Sequence, residues 1–226
     1  MAQDNLTEIV CIVDRSGSME SIRSDAQGGF DTFIEEQQKE PGEATVTLAH
    51  FDDKYELVWE NKPLKDIKKG DYVLMPRGMT ALLDAVGKTV KTVGERLSKT
   101  DEDKRPGKVI VTIITDGHEN HSKEYRRQQI MEMINHQRDK YKWEFLFLAA
   151  NQDALAEASH IGIKGAQAMN FAATGQGMKA AYGSMSRGIS SYRSTGHTEL
   201  PDNAEEDDDD KKPKGKKKVG FRPRSS

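Results

Sequence analysis

Short apolar runs alternate along the chain with longer stretches in which apolar residues recur at helical spacing. The apolar runs, at residues 9–13, 46–51, 109–114 and 145–150, are rich in β-branched residues and show almost no polar alternation. This is typical of parallel strands that are covered on both faces. Between them, the apolar spacing predicts helices over residues 19–33, 82–97 and 130–134. Alternating strands and helices indicate an α/β fold.

One pair of runs departs from this alternation. Residues 46–51 and 55–59 are separated only by the polar turn Asp52-Asp53-Lys54, which predicts an antiparallel hairpin at the edge of the sheet. The sheet is therefore expected to be mixed. Residues 169–173 are a candidate final strand, and residues 178–192 a candidate closing helix that glycine and serine weaken.

Composition excludes several classes of site and partner. The net charge is only -3 with 31% charged residues, so no overall field predicts binding to nucleic acid or to a membrane surface. A basic and apolar leader is not evident at the start, and no apolar run is long enough to cross a bilayer. The expectation is a soluble, cytoplasmic protein. Cys11 is the only cysteine, which excludes an internal disulfide and a cysteine-rich zinc site.

The composition changes near Gly196. From there, eight acidic residues precede eight basic residues with almost nothing apolar between them, a pattern that predicts a disordered tail. The sequence thus divides into a folded domain over residues 1–196 and a charged tail over residues 197–226. The tail is expected either to keep the protein in solution or to form a second contact with a charged partner.

Polar oxygen-bearing residues follow the predicted strands or precede a predicted helix at three places. Asp14, Ser16 and Ser18 follow the first strand, Thr80 precedes the helix near Ala81, and Asp116 follows the strand at 109–114. Ligand sites in open α/β sheets lie beyond the carboxyl ends of the strands. An all-oxygen ligand set suits magnesium, and manganese accepts the same set. Two carboxylates leave such an ion incompletely neutralised, which predicts binding of an external carboxylate.

Each of the three groups has a simpler interpretation when taken alone. Ser16 and Thr80 are common types of helix cap, and Asp116-Gly117 is an ordinary turn sequence. Their joint occurrence, in this order and at the ends of the right elements, favours a metal site over three unrelated caps and turns.

The three groups together resemble the metal-ion-dependent adhesion site (MIDAS) of the von Willebrand factor type A (VWA) domain. The resemblance rests on Asp14-x-Ser16-x-Ser18, on Thr80 in G-M-T-A-L-L-D-A and on Asp116 in T-D-G, and it covers about residues 5–195. It implies a Rossmann-like three-layer sandwich: a mostly parallel central sheet with one antiparallel edge strand and helices on both faces. It also implies that Ser16, Ser18 and Thr80 ligate the metal directly, and Asp14 and Asp116 directly or through water.

Other residues are expected on the rim of this site. They are Arg15, Arg77, His118, Glu119 and Asn120. The two arginines are candidates for secondary contacts to an acidic partner, against the simpler interpretation that they are solvated surface charges.

The resulting prediction is a divalent-metal-dependent protein-binding module without catalysis of its own, whose partner supplies a Glu or Asp carboxylate. The resemblance is to stand-alone prokaryotic or bacteriophage members of the family. The alternative is a non-catalytic subunit or adaptor of an AAA+ ATPase machine for remodelling or metal insertion. An aspartyl-phosphate phosphatase is disfavoured because Ser16 occupies the place of its second acid. The Gly175-Gln176-Gly177 segment lacks the context of a nucleotide-binding loop.

Overall fold

The computed structural model describes residues 2–150, 154–198 and 200. In this part of the chain, six strands form one sheet and five α-helices surround it. The strands are β1 (Gln3–Asp14), β2 (Glu43–Phe51), β3 (Tyr55–Pro63), β4 (Pro106–Thr115), β5 (Glu144–Ala149) and β6 (Ala168–Asn170). The α-helices are α1 (Arg23–Gln37), α2 (Leu82–Lys99), α3 (Arg127–Tyr141), α4 (Ala154–His160) and α5 (Gly175–Thr195).

The sheet has the order β3-β2-β1-β4-β5-β6. Every neighbouring pair is parallel except β2 and β3, which form an antiparallel hairpin at one edge. The predicted fold class is therefore confirmed. β1 lies between β2 and β4, with Val13 paired to both His50 and Ile114. The chain places β2 and β3 on one side of β1 and then adds β4, β5 and β6 on the other side. The direction of winding therefore switches beside β1, and the carboxyl end of β1 lies at this switch point.

The helices form a layer on each face of the sheet. Phe30 of α1 and Met185 of α5 belong to the core on one face, whereas Val86 of α2 and Ile130 of α3 belong to the core on the other. Strand β1 contributes alternate residues to the two cores, as the two-residue period of a strand requires. This double coverage explains why the strands appear in the sequence as continuous apolar runs.

Several elements differ from the sequence-based prediction. β1 begins at Gln3 rather than near Ile9, because its first residues are partly exposed and polar yet still pair in the sheet. A 3-10 helix over Gly17–Ile22 precedes α1 in the stretch predicted as one helix. Helix α4 was not predicted; it is only seven residues long, and it carries no clear apolar period.

The packed domain continues slightly beyond the predicted boundary at residue 196. Thr198 and Leu200 are buried, and the Leu200 backbone N–H donates to the Ala166 carbonyl at 2.9 Å. The rest of the predicted tail, Glu199 and residues 201–226, lies outside the described residues. Among the residues that are described, none of the helices combines the length and apolar character needed to span a bilayer.

Candidate metal centre

The five predicted ligands lie at the carboxyl ends of β1 and β4 and just before α2. Asp14 is the last residue of β1, and Asp116 directly follows β4. Backbone hydrogen bonds join the three segments: Gly17 N–H donates to Gly78 O at 3.3 Å, and Asn120 N–H to Thr80 O at 3.0 Å. Thr80 is therefore held between the loop after β1 and the loop after β4.

The position of Gly117 shows how closely three of the ligands approach one another. A Cβ atom on Gly117 would lie 2.7 Å from Thr80 Oγ1 and 3.5 Å from both Asp14 Oδ2 and Ser16 Oγ. Oxygen atoms from the β1 segment and from the loop before α2 thus border one small space beside Gly117, which belongs to the loop after β4. A substituent at this position would crowd Thr80.

The other two predicted ligands are linked to the same group by hydrogen bonds. Ser16 Oγ lies 3.0 Å from Ser18 Oγ, and Ser18 Oγ donates to Asp116 Oδ1 at 2.6 Å. Asp14, Ser16 and Thr80 are buried, whereas Ser18 is exposed and Asp116 is partly buried. The cluster is therefore closed to solvent at Asp14, Ser16 and Thr80 and open to solvent at Ser18 and Asp116.

Asp14 is fixed before any metal binds. Its Oδ1 accepts from the Ser16 backbone N–H at 2.6 Å, and its Oδ2 accepts from Thr115 Oγ1 at 2.6 Å. Burial raises the pKa of Asp14 to about 6, although these hydrogen bonds oppose the shift and the charge on Asp116 adds slightly to it. Burial also raises the pKa of Asp116, against the effect of the Ser18 hydrogen bond.

The charges at this cluster are not balanced by the protein. Within the described part of the chain, neither Asp14 nor Asp116 forms an ion pair. Nearby Asp52, by contrast, accepts from Arg15 Nε at 2.9 Å and from Arg77 Nε at 2.8 Å. Burial outweighs the hydrogen bonds to Asp14 and raises its pKa, so a cation bound beside the carboxylate would lower the cost of its buried charge.

The chemistry of the donor set fits a hard divalent cation. Two carboxylates and three hydroxyls supply only oxygen, the donor that magnesium and manganese prefer. No group of three or more His, Cys, Asp or Glu side chains that could hold a metal occurs among the described residues. A metal ion at this cluster would therefore need the hydroxyls of Ser16, Ser18 and Thr80 as well as the two carboxylates.

Two of the predicted rim residues serve to position Thr80 and α2. Asn120 Oδ1 accepts from the Thr80 backbone N–H at 3.0 Å. Glu119 Oε2 accepts from the Leu83 backbone N–H at 2.9 Å, in the first turn of α2, where a carboxylate also interacts well with the helix dipole. Both side chains thus hold the loop after β4 against the start of α2.

The remaining rim residues differ in their access to solvent. Arg15 is buried, and besides its bond to Asp52 it donates to Glu56 Oε2. Two internal carboxylates thus bind Arg15, and its contact with a partner stays a prediction. Arg77 is 57% exposed, and His118 is exposed.

Residues that sequence analysis did not single out also position the site. Thr115 orients Asp14, and Asp84 accepts from the backbone N–H groups of Lys123, Glu124 and Tyr125. Asp52 joins the β2–β3 hairpin to the loop before α2, because its carbonyl accepts from Ala81 N–H at 2.9 Å. The place of Thr115 directly before Asp116 was a sequence signal that could have indicated its role. The contacts of Asp52 and Asp84 join residues too far apart in the chain to follow from local sequence.

The sequence matches no family model, and a search of the curated proteins finds no match. Solved structures do match. A von Willebrand factor type A protein from Catenulispora acidiphila superposes with a TM-score of 0.61 at 12% identity, over 80% of this chain and 42% of the other. Proximal thread matrix protein 1 from the mussel byssus superposes with a TM-score of 0.59 at 13% identity, over 82% of this chain and 46% of the other. This chain has the VWA fold.

A third match extends the comparison to an archaeal protein. The ArnB paralog VWA2 from Sulfolobus acidocaldarius gives a TM-score of 0.51 at 16% identity, over 81% of this chain and 46% of the other. This chain thus spans less than half the length of each of these three proteins. One structure of the mussel protein carries a zinc-occupied MIDAS motif.

Proposed function

We propose that this chain is a divalent-metal-dependent protein-binding module that grips a partner's Glu or Asp side chain through a MIDAS-type site. The observation that carries the proposal is that Asp14 and Asp116 lie in one cluster with the hydroxyls of Ser16, Ser18 and Thr80 and form no ion pair in the described part of the chain. The VWA fold, and the metal-occupied MIDAS of the mussel protein with that fold, support it.

In this proposal, Ser16, Ser18 and Thr80 ligate magnesium or manganese directly, and Asp14 and Asp116 do so directly or through water. Magnesium prefers octahedral coordination, so the five oxygen ligands that the chain offers leave one position for an oxygen from outside. The exposed side, next to Ser18 and Asp116, is where a partner's carboxylate completes the coordination.

The proposed role is binding without catalysis. Cys11 is fully buried, and burial raises the pKa of its thiol to about 12, so the thiolate needed for nucleophilic attack is not available. Both Asp14 oxygens already accept hydrogen bonds from Ser16 and Thr115, and Ser16 stands where a phosphatase of the aspartyl-phosphate type would carry an acid.

Calorimetric titration with MgCl₂ and MnCl₂ tests the metal site. The intact protein should bind one ion, and Thr80→Ala should weaken binding at least about tenfold, because one ligand oxygen is lost. Thr112→Ala is the matched control: Thr112 is also a buried threonine, but its hydroxyl lies 3.3 Å from Val10 O inside the sheet. Equal affinities of the two variants would contradict the assignment of Thr80 as a ligand.

A pull-down tests partner binding. The intact protein and Thr80→Ala are each incubated with host lysate in MgCl₂ or in EDTA. We expect at least one protein that is retained only by the intact chain and only with magnesium. Retention that is equal in EDTA, or equal for Thr80→Ala, would argue against a metal-mediated contact even if the ion binds.

A further inference from the structure

The segment over residues 72–80, called here the entry segment because it leads into α2, exposes an unusual amount of apolar surface. The described part of the chain has five large apolar side chains that are strongly exposed, and three of them lie in this segment. Val73 is 54% exposed, Met75 65% and Met79 48%. Single exposed apolar residues need no explanation, but a contiguous group of them marks an interaction surface.

This exposure is not a consequence of a poorly anchored loop. Tyr72 and Leu74 alternate with the exposed residues and are buried in the core. The Leu74 backbone N–H donates to Gln27 Oε1 at 3.0 Å, and that of Arg77 donates to Arg15 O at 2.8 Å. Gly78 adopts a φ of 69°, which glycine permits without strain. The backbone therefore presents Val73 and Met75 outward from a fixed position, so little ordering is needed on binding.

The carboxyl end of the entry segment adjoins the proposed metal centre. Met79 directly precedes Thr80, and Gly78 O accepts from Gly17 N–H at 3.3 Å between Ser16 and Ser18. Arg77 lies between the two methionines in sequence. Its Nε binds Asp52, while its Nη1 and Nη2 have no hydrogen-bond partner in the part of the chain that is described. The surface thus places apolar side chains, and an exposed guanidinium with two N–H-bearing nitrogens free to donate, near the carboxylate-binding site.

We propose that the entry segment binds the residues that flank the partner's acidic side chain, so that the partner is a protein segment in which Glu or Asp has large apolar neighbours. This inference rests on the proposed metal-dependent function and adds the chemistry of the partner to it. Methionine is flexible and polarisable and adapts to differently shaped apolar groups. Met75 and Met79 therefore select apolar bulk beside the acid rather than one particular side chain, and Arg77 adds attraction for a negatively charged segment.

Selection from a random 12-residue peptide display library tests this inference. The full chain is immobilised in MgCl₂, bound peptides are released with EDTA, and the released pool is sequenced. In parallel, the same selection is run on the Val73→Ser/Met75→Ser variant and on Tyr141→Ser. Tyr141 is 52% exposed at the end of α3, next to the amino end of β5 and so at the opposite edge of the sheet.

The expected result is enrichment of peptides in which Glu or Asp lies within three residues of Leu, Ile, Phe, Met or Val. This apolar enrichment should be retained on Tyr141→Ser and lost on Val73→Ser/Met75→Ser, while acidic residues stay enriched on all three proteins. Acidic enrichment without apolar neighbours, or the same pools from all three proteins, would overturn the inference and leave the proposed function standing. A pool without acidic enrichment would instead contradict the proposed function.

Affinity measurements with one enriched peptide give the size of the effect. Titration in MgCl₂ should show about tenfold weaker binding to Val73→Ser/Met75→Ser than to wild type, as expected for the loss of apolar contact equivalent to about two methylene groups. The magnesium affinity of the variant should be unchanged, which separates the apolar contact from the metal. A concentration-dependent dimer that Met75→Ser abolishes, together with unchanged peptide affinity, would show that the surface is covered by a second copy and overturn the inference.

Discussion

The amino and carboxyl ends of the parallel strands form two opposite sides of the sheet, called here the amino edge and the carboxyl edge. These two edges bury charge in different ways. At the amino edge, buried Arg193 of α5 donates to the carbonyls of Gln37, Pro41 and Gly42, at 2.7, 3.2 and 3.1 Å. These acceptors lie at and beyond the end of α1, where free carbonyls favour a cation. At the carboxyl edge, Asp14 and Asp116 have hydroxyl and backbone partners but no cation in the described part of the chain.

The comparison shows that the volume of a surface depression indicates this site less well than the presence of carboxylates without an ion pair among the described residues. The amino edge contains depressions of about 450 and 310 Å³, lined in part by Glu144 and Arg193 respectively. Buried Arg193 is already paired with carbonyl acceptors, and partly buried Glu144 accepts from Gln167, which contributes to stability. At the carboxyl edge, a space of about 100 Å³ lies between the β2–β3 turn and the start of α2, whereas the two carboxylates lie beside the smaller space at Gly117. Substitutions at the two edges should therefore affect different measurements.

The largest expected effect is on metal affinity at the carboxyl edge. Asp14→Asn removes one of the two charges at the site and should weaken binding of Mg²⁺ by about 100-fold or more. Calorimetric titration measures this directly. Asp139→Asn, at a strongly exposed carboxylate of α3, is the matched control and should bind magnesium as wild type does. If Asp14→Asn bound magnesium with wild-type affinity, the proposed contrast between the carboxyl edge and the amino edge would be wrong.

The amino edge should give the opposite result. Arg193→Met leaves several buried carbonyls without a donor and should lower the free energy of unfolding by about 2–4 kcal/mol. Magnesium affinity should stay within about twofold of wild type because the substitution is at the other edge of the sheet. Urea denaturation and metal titration of the same sample test both statements. Arg187→Met, at an exposed position on the same helix, should change stability far less.

The unpaired charge of Asp14 also predicts a pH dependence in EDTA. Its pKa rises from 3.8 to about 6 on folding, so the folded state binds more protons between these values. The resulting stability is fully present below about pH 4 and is lost as the pH rises through about 6. Between pH 4.5 and 7.5, Asp14→Asn should thus gain about 1–2 kcal/mol of unfolding free energy relative to wild type.

The substitution itself is well suited to this measurement. Thr115 Oγ1 lies 3.1 Å from Gly117 O, so its hydroxyl can turn to that acceptor and receive a hydrogen bond from the new amide. Asp14→Asn should therefore fold as wild type does. Urea denaturation at each pH gives the difference between the two proteins. Parallel pH profiles would show that the charge on Asp14 is compensated in the metal-free protein.

The sequence predicted the elements whose signals are local. The buried strands appear as apolar runs, and the order of strands and helices around Asp14, Thr80 and Asp116 was enough to bring three loops to one edge. Residues 3–8 of β1 were missed because the start of the strand is partly exposed, which weakens the apolar signal. The last strand ends at Asn170 rather than Ala173, so the predicted boundary was three residues too long.

Side-chain orientation at the site was harder to predict. Arg15 and Arg77 are alike in composition and both lie beside proposed ligands, but Arg15 is buried between Asp52 and Glu56 whereas Arg77 remains exposed. The difference depends on the β2–β3 hairpin, which is 37 residues away from Arg15 at Asp52. Glu119 likewise binds the start of α2. Such contacts depend on tertiary packing, which periodicity and spacing do not contain.

The smallest expected effect concerns the shape of the carboxyl edge rather than its charge. A Cβ on Gly117 would lie 2.7 Å from Thr80 Oγ1, which is too close, so Gly117→Ala should displace that hydroxyl slightly. Magnesium affinity is expected to fall about fivefold to tenfold, in line with imperfect ligand placement. Gly28→Ala in α1, where a Cβ has nothing within 4 Å, should leave the affinity unchanged and stabilise the helix by up to about 1 kcal/mol. Unchanged affinity in Gly117→Ala would mean that the ion does not use the Thr80 hydroxyl, so the site would have to rest on the loops after β1 and β4 alone.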